Sequence, residues 1–300
     1  MKTKIISLAL VIALTFSFAS CGKTNELATT TAPNVVYDPD SITTTNPSDD
    51  ETITTKETKG TDIAENNSVS VTIPEGYTLL KLSWLLEEKG VCSADAFVSA
   101  SQNYDINSNP VLADLGKAQN VCFRLEGYMF PATYSFKKGS DPKLVIDKLV
   151  STFAAKFNET LRQRAKEMGK TVHEILTVAS IIEKEAFTEE QRNLISSTLY
   201  NRLSQKMQLQ CDVTVKYCTG VIQEKYPNKI EQYKFNYNTY RCAGLPAGPI
   251  CNPGMASINA ALYPADTNYL YFVIDTKPPY THAFAATYEE HQANCKKMGY

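Results

Sequence analysis

The chain has 300 residues, a formal net charge of −2, 43% hydrophobic residues and 21% charged residues. That length can bury one substantial core with a small module beside it. The balanced charge gives no sign of a nucleic-acid partner, and the sequence holds no phosphate loop, dinucleotide fingerprint or histidine pair at metal spacing. No cofactor or metal is therefore expected.

Met1-Lys2-Thr3-Lys4 is a basic start, followed by an apolar run from Ile5 to Ala19 and then Ser20-Cys21. This pattern predicts an export signal over residues 1–20. The run is shorter than the roughly 20 residues a membrane-spanning helix needs. Phe18-Ala19-Ser20 before Cys21 resembles a bacterial lipobox, so Cys21 is expected to carry lipid and tether the chain to the outer face of the cell membrane. From 22 to 68 the composition changes: 12 of 47 residues are Thr, acids exceed bases by nine to three, and Tyr37 is the sole aromatic. Such a stretch cannot build a core and is expected to be a disordered spacer over 21–68. As a flexible chain it would reach about 35–40 Å.

Val69–Ile73 alternates polar and apolar residues, which predicts a short strand. Pro74-Glu75-Gly76 turns the chain. Leu79–Lys89 then predicts a helix with Leu82, Leu85 and Leu86 on one side and Gly90 as its stop. A second helix is predicted from Ser93. This order resembles a small glycan-binding LysM-like module, assigned to residues 69–135. Arg124–Tyr134 predicts a strand entering a turn, and Leu144–Met168 one long packing helix.

A helix is predicted from Val172 to Ala186. Val172, Ile175, Ala179, Ile182 and Ala186 form one apolar face, and Thr171 with Glu174 makes a capping box. The helix ends in Glu183-Lys184-Glu185. At about 100° per residue the two carboxylates project about 200° apart, so they cannot serve one bond as a pair. An acid beside apolar neighbours has its pKa raised and can act as a general acid. Solvated edge residues are the simpler alternative, with one Glu bonded to Lys184 or Arg192.

Helix continues over Asn193–Leu203. Gln208–Tyr217 alternates and is β-branched, which predicts a strand or extended loop. The Gly, Pro and Asn residues from Tyr237 to Gly254 predict a fixed irregular loop, suited to walling a site. A helix from Ser257 to Leu262, a buried strand at Tyr269–Val273 and a closing helix after Ala285 complete the chain, giving an α+β fold. His173, His282 and His291 stand apart in sequence. Setting Cys21 aside leaves seven cysteines, an odd number that cannot all pair internally. Cys242 and Cys251 bracket a Gly/Pro turn; free thiols and one or two bridges both remain open.

Seven ordered pieces carry a resemblance to a known family. They are Leu125-Glu126-Gly127-Tyr128 with Phe130-Pro131; Ala179–Glu185; Tyr200-Asn201-Arg202-Leu203; Leu209-Gln210 with Asp212 and Thr214-Val215; Tyr237–Tyr240; Gly244-Leu245-Pro246; and Tyr269–Val273 followed by His282 and Phe284. From about Val69 to His291 the chain resembles the endolytic murein transglycosylases, the MltG or YceG-like proteins. It departs from their usual pattern at Ala132, Cys211, Val213 and Ala247, and it has a lipobox where they usually have a membrane-spanning helix.

The resemblance implies a catalytic domain over 136–300 that cuts peptidoglycan strands between N-acetylmuramic acid and N-acetylglucosamine and leaves 1,6-anhydro ends. One carboxyl group suffices, first as acid and then as base. The resemblance makes Glu185 that group and Glu183 its support. Gln210, Asp212, Tyr237, Asn238 and Tyr240 are candidates for holding sugar hydroxyls and acetamido groups, or else for stabilising loops. Glycan strands, the membrane and possible cell-wall synthases are the implied partners. Two other readings stand beside this one. The first is a two-carboxylate hydrolase with Asp212 or Glu126 as second acid. The second is a wall-binding lipoprotein without catalysis.

Overall fold

The structure, a computed structural model, describes residues 67–300 except 276 and 278. The expected export signal, the lipid site at Cys21 and nearly all of the expected spacer lie outside the described residues. Among the described residues no helix is long and apolar enough to cross a membrane.

The fold is α+β: two small antiparallel strand pairs on a helical body. Strand β1 (Ser68–Thr72) leads into helix α1 (Leu79–Glu88) and helix α2 (Ala94–Gln102). Two 3-10 stretches follow, and strand β2 (Thr133–Lys137) returns to pair with β1, from Ser68 opposite Lys137 to Thr72 opposite Thr133. Val71 on β1 and Tyr134 and Phe136 on β2 face inward, as the period of two requires. Thr78 caps α1 by accepting from Lys81 N, and Ser93 caps α2 by accepting from Ala96 N. Gly90, at φ +69°, ends the α1 turn in a conformation other residues resist. The expected module boundary at residue 135 falls inside β2.

Helix α3 (Pro142–Lys156) and helix α4 (Glu159–Glu167) correct the single long helix expected over 144–168. The chain breaks at Phe157, which is fully buried, and Asn158 restarts it by accepting from Leu161 N at 3.2 Å. Helix α5 (Val172–Glu185) runs through the core. Its capping box is present: Thr171 Oγ1 accepts from Glu174 N at 3.1 Å, and Glu174 Oε2 accepts from Thr171 N at 2.9 Å. Every residue from Val172 to Ile182 except Glu174 is buried. The helix is buried nearly all round and meets solvent at Glu174 in its first turn and again in its last turn.

Helix α6 (Glu189–Ser204) follows. The strand or extended loop expected over 208–217 is instead an irregular stretch and helix α7 (Asp212–Lys216), continued by a wider turn (Tyr217–Ile222) and the short helix α8 (Gln223–Lys225). Helix α9 (Ile230–Tyr237), the Gly/Pro loop and helix α10 (Met255–Leu262) come next. Strand β3 (Tyr271–Ile274) pairs with strand β4 (His282–Ala285), and helix α11 (Tyr288–Lys297) closes the chain. β3 is not the buried strand expected: Val273 alone of its four residues is buried. In a two-stranded ribbon one face of the strand is left for a cleft.

One apolar cluster joins β1, α1 and β2 to α3, α5, α6 and α10. Buried polar groups pin the same junction. Asn252, fully buried, accepts through Oδ1 from Gly127 N at 3.0 Å and Met129 N at 2.9 Å, and donates through Nδ2 to Tyr77 O at 2.9 Å. The seven cysteines among the described residues are free thiols, Cys242 and Cys251 included.

Candidate active site

The last turn of α5 delivers its two carboxylates into different surroundings, as their angular separation requires. Glu183 Oε2 accepts from Ser257 Oγ at 2.6 Å and from Gly254 N at 3.2 Å. It thus caps α10, placing negative charge where the helix N-terminus favours it. Glu185 lies on the other side, half-buried in the wall of a cleft of about 450 Å³. Lys184, between them, donates to Gly76 O at 2.6 Å, and Arg192 Nε donates to Ser257 Oγ at 3.2 Å.

Burial pushes the Glu185 carboxyl up to about 7; the nearby Asp212 carboxylate adds to the shift and Lys216 opposes it. Asp212 is the first residue of α7, and its Oδ1 accepts from Tyr240 OH at 2.6 Å. Gln210 and Tyr240 line the same cleft, with β3 as another wall. The site therefore brings a carboxyl that holds its proton near neutrality beside a second, hydrogen-bonded acid and a phenol.

Two residues not singled out for the site build it. Arg202, on α6, donates to Gln208 O and Leu270 O at 2.8 Å each, and to Gln210 Oε1. It ties the 208–210 stretch, where Gln210 takes φ +56°, to the start of β3. Thr239 is fully buried, with Oγ1 accepting from Cys211 N at 2.9 Å and lying 3.0 Å from Thr214 Oγ1; its carbonyl accepts from Gln210 N at 3.1 Å. Arg202 stands in the Tyr-Asn-Arg-Leu piece, and a buried-arginine reading of that helix would have found it. Nothing in the local pattern distinguishes Thr239.

The other expected sugar contacts sit elsewhere. Tyr237 is fully buried; its hydroxyl accepts from Cys122 N at 3.2 Å and its ring packs on Tyr217 at 5.4 Å. Asn238 Oδ1 accepts from Tyr240 N at 2.9 Å and shapes the turn that presents Tyr240. Neither lines the cleft. Glu126, weighed as a second acid, is buried away from it. Its Oε1 accepts from Leu79 N at 2.8 Å and its Oε2 from Tyr217 OH at 2.9 Å, and burial pushes its pKa up to about 8. It is a structural acid at the base of α1.

Comparison with known proteins places the chain among relatives. A profile of the YceG-like family matches residues 46–297. An endolytic murein transglycosylase of Bacillus subtilis (strain 168) is 40% identical over 176 residues, 58% of this chain and 48% of that protein. One from Streptococcus pneumoniae (strain D39) is 31% identical over 243 residues, 75% of this chain and 44% of that protein. The chain thus spans about half the length of these curated relatives. A crystal structure of a yceG-like protein from Listeria monocytogenes superposes with a TM-score of 0.65 at 33% identity, covering 75% of each chain. The match over residues 46–297 shows that the chain belongs to the YceG-like family.

Proposed function

We propose that the chain is a membrane-tethered endolytic murein transglycosylase with Glu185 as its acid and base. The observation that carries this reading is the half-buried Glu185 carboxyl, raised to about 7, in an open cleft beside Asp212 and Tyr240. In the first half of the reaction Glu185 donates its proton to the glycosidic oxygen, the bond to C1 of N-acetylmuramic acid breaks, and positive charge develops at that carbon. In the second half the Glu185 carboxylate takes the proton of the C6 hydroxyl as that oxygen closes on C1. No water enters, the carboxyl ends as it began, and a 1,6-anhydro end results. Glu183, bound to the α10 N-terminus, fixes the end of α5 and so the aim of Glu185. Gln210, Asp212 and Tyr240 hold polar groups of the sugars. Tyr237 and Asn238 act one step back, by packing and by shaping the turn.

The order strand, two helices, strand in residues 69–137 supports the LysM-like reading of that region, which would hold glycan next to the cleft. Lipid on Cys21 and the 21–68 spacer would place the enzyme at the outer membrane surface within reach of growing strands and their synthases. The competing hydrolase reading draws on the closeness of Asp212 to Glu185. Mass analysis of products from purified glycan separates the two: anhydro ends support the transglycosylase, whereas reducing ends mean that water was added, as a two-carboxylate hydrolase requires.

A further inference from the structure

A second cavity, of about 330 Å³, also borders α7. Asp212, at the start of α7, lines the Glu185 cleft, whereas Val213 and Lys216 line this cavity. Its wall carries three lysines from three elements: Lys81 on α1, Lys184 at the end of α5 and Lys216 at the end of α7. No acid lines it. None of the three lysines forms an ion pair among the described residues, although six other lysines and arginines do. Lys184 is held in place by its bond to Gly76 O, and its side chain lies 3.1 Å from where a Gly76 Cβ would stand. The remaining lining is largely apolar, from Val213, Val221 and Ile250.

Three ammonium groups that line one concave site, without an ion-pair partner among the described residues, favour an anion, and the flanking aliphatic wall favours one that carries apolar groups. We propose that this cavity takes the carboxylate-bearing stem peptide of the saccharide whose glycosidic bond lies at Glu185, an inference that rests on the proposed function. Lys184 adjoins Glu185 in sequence, and Lys216 is close enough to lower its pKa. An extended peptide of three or four residues spans about 10–14 Å, about the width of one helix with its side chains. A bare phosphate would leave the aliphatic wall unused. Lys81 comes from the region preceding β2, so the two parts of the fold would read one substrate together.

The test uses the full chain carrying Glu185→Gln, so that binding is measured without turnover, and two glycans of equal length. One glycan keeps its stem peptides and the other has been stripped of them by an amidase. Adding Lys81→Gln should weaken binding of the peptide-bearing glycan about three- to tenfold at low salt, with less effect at 0.5 M salt where exposed charges are screened. Lys81→Glu should weaken it further, and Lys81→Arg should restore it. Binding of the stripped glycan should not change. Equal losses on both glycans, or none, would overturn the proposal, as would a loss seen only with strands that still end in a polyprenyl diphosphate. Turnover by the chain with Glu185 intact is assayed in parallel; absence of cleavage there counts against the proposed function and leaves the binding result to stand by itself.

Discussion

Glu185 acts through its environment. It ends α5, so the negative end of the helix, the buried Ile181 and Ile182 beneath it and the Asp212 carboxylate all disfavour its charge. Since the first step needs the protonated acid, cleavage should be fast below about pH 7 and fall as pH rises through the raised value. A rate on defined glycan that stays flat from about pH 5 to 9 contradicts this. Asp212→Asn should move the alkaline limb of the profile to lower pH, because it removes one of the contributions that raise Glu185. Part of the cleft was legible at this scale. Glu185, Gln210, Asp212 and Tyr240 converge as the motif implied. Tyr237 did not, because a tyrosine in a Gly/Pro-rich loop looks the same in sequence whether its ring faces a cleft or the core.

At the scale of elements, Thr171 with Glu174, Ser93 and Gly90 marked helix ends in advance, since each satisfies or stops backbone groups locally. The 208–217 stretch misled because Val213-Thr214-Val215 has strand-like chemistry. The bonds of Thr214 and Cys211 to Thr239, 25 and 28 residues away, impose a turn that local preference does not encode. The same long-range polar ties carry the junction of α1 with the helical body. Asn252→Ala would leave the Gly127 and Met129 amides buried without acceptors, which should cost about 2–5 kcal/mol in urea unfolding. Gly127→Ala should cost about 1–3 kcal/mol, since its φ is +89° and a Cβ would lie 2.7 Å from Pro249. Unchanged midpoints for both variants would mean that this junction does not limit stability.

For the whole molecule, Glu126 links pH to folding. Its carboxyl is raised to about 8 in the fold and titrates near the ordinary value once unfolded. Between these two values the folded state therefore binds more protons than the unfolded one. Stability should fall as pH rises from about 4.5 to 8, by at most about 1.4 kcal/mol per pH unit from this group. Glu126→Gln should flatten that slope; a slope left unchanged places its origin elsewhere. A chain beginning at Ser68 should unfold cooperatively and cleave glycan in solution, because the Thr-rich acidic stretch before it has nothing with which to build a core. Cys21→Ser should abolish lipid labelling of the full chain. The α+β class was readable from composition and punctuation, and the order of the elements only in part. The single apolar cluster that unites the two expected regions was not, because no local pattern records which faces meet.

The central claim is that one carboxyl group, Glu185, performs both proton transfers. Its most direct test is cleavage of purified glycan by the full chain and by Glu185→Gln, with the products weighed by mass spectrometry. The account predicts 1,6-anhydro ends from the unaltered protein and a loss of at least about 10²–10⁴-fold in the variant, with its fold intact by circular dichroism. Reducing ends from the unaltered protein, or undiminished cleavage by Glu185→Gln, would contradict it.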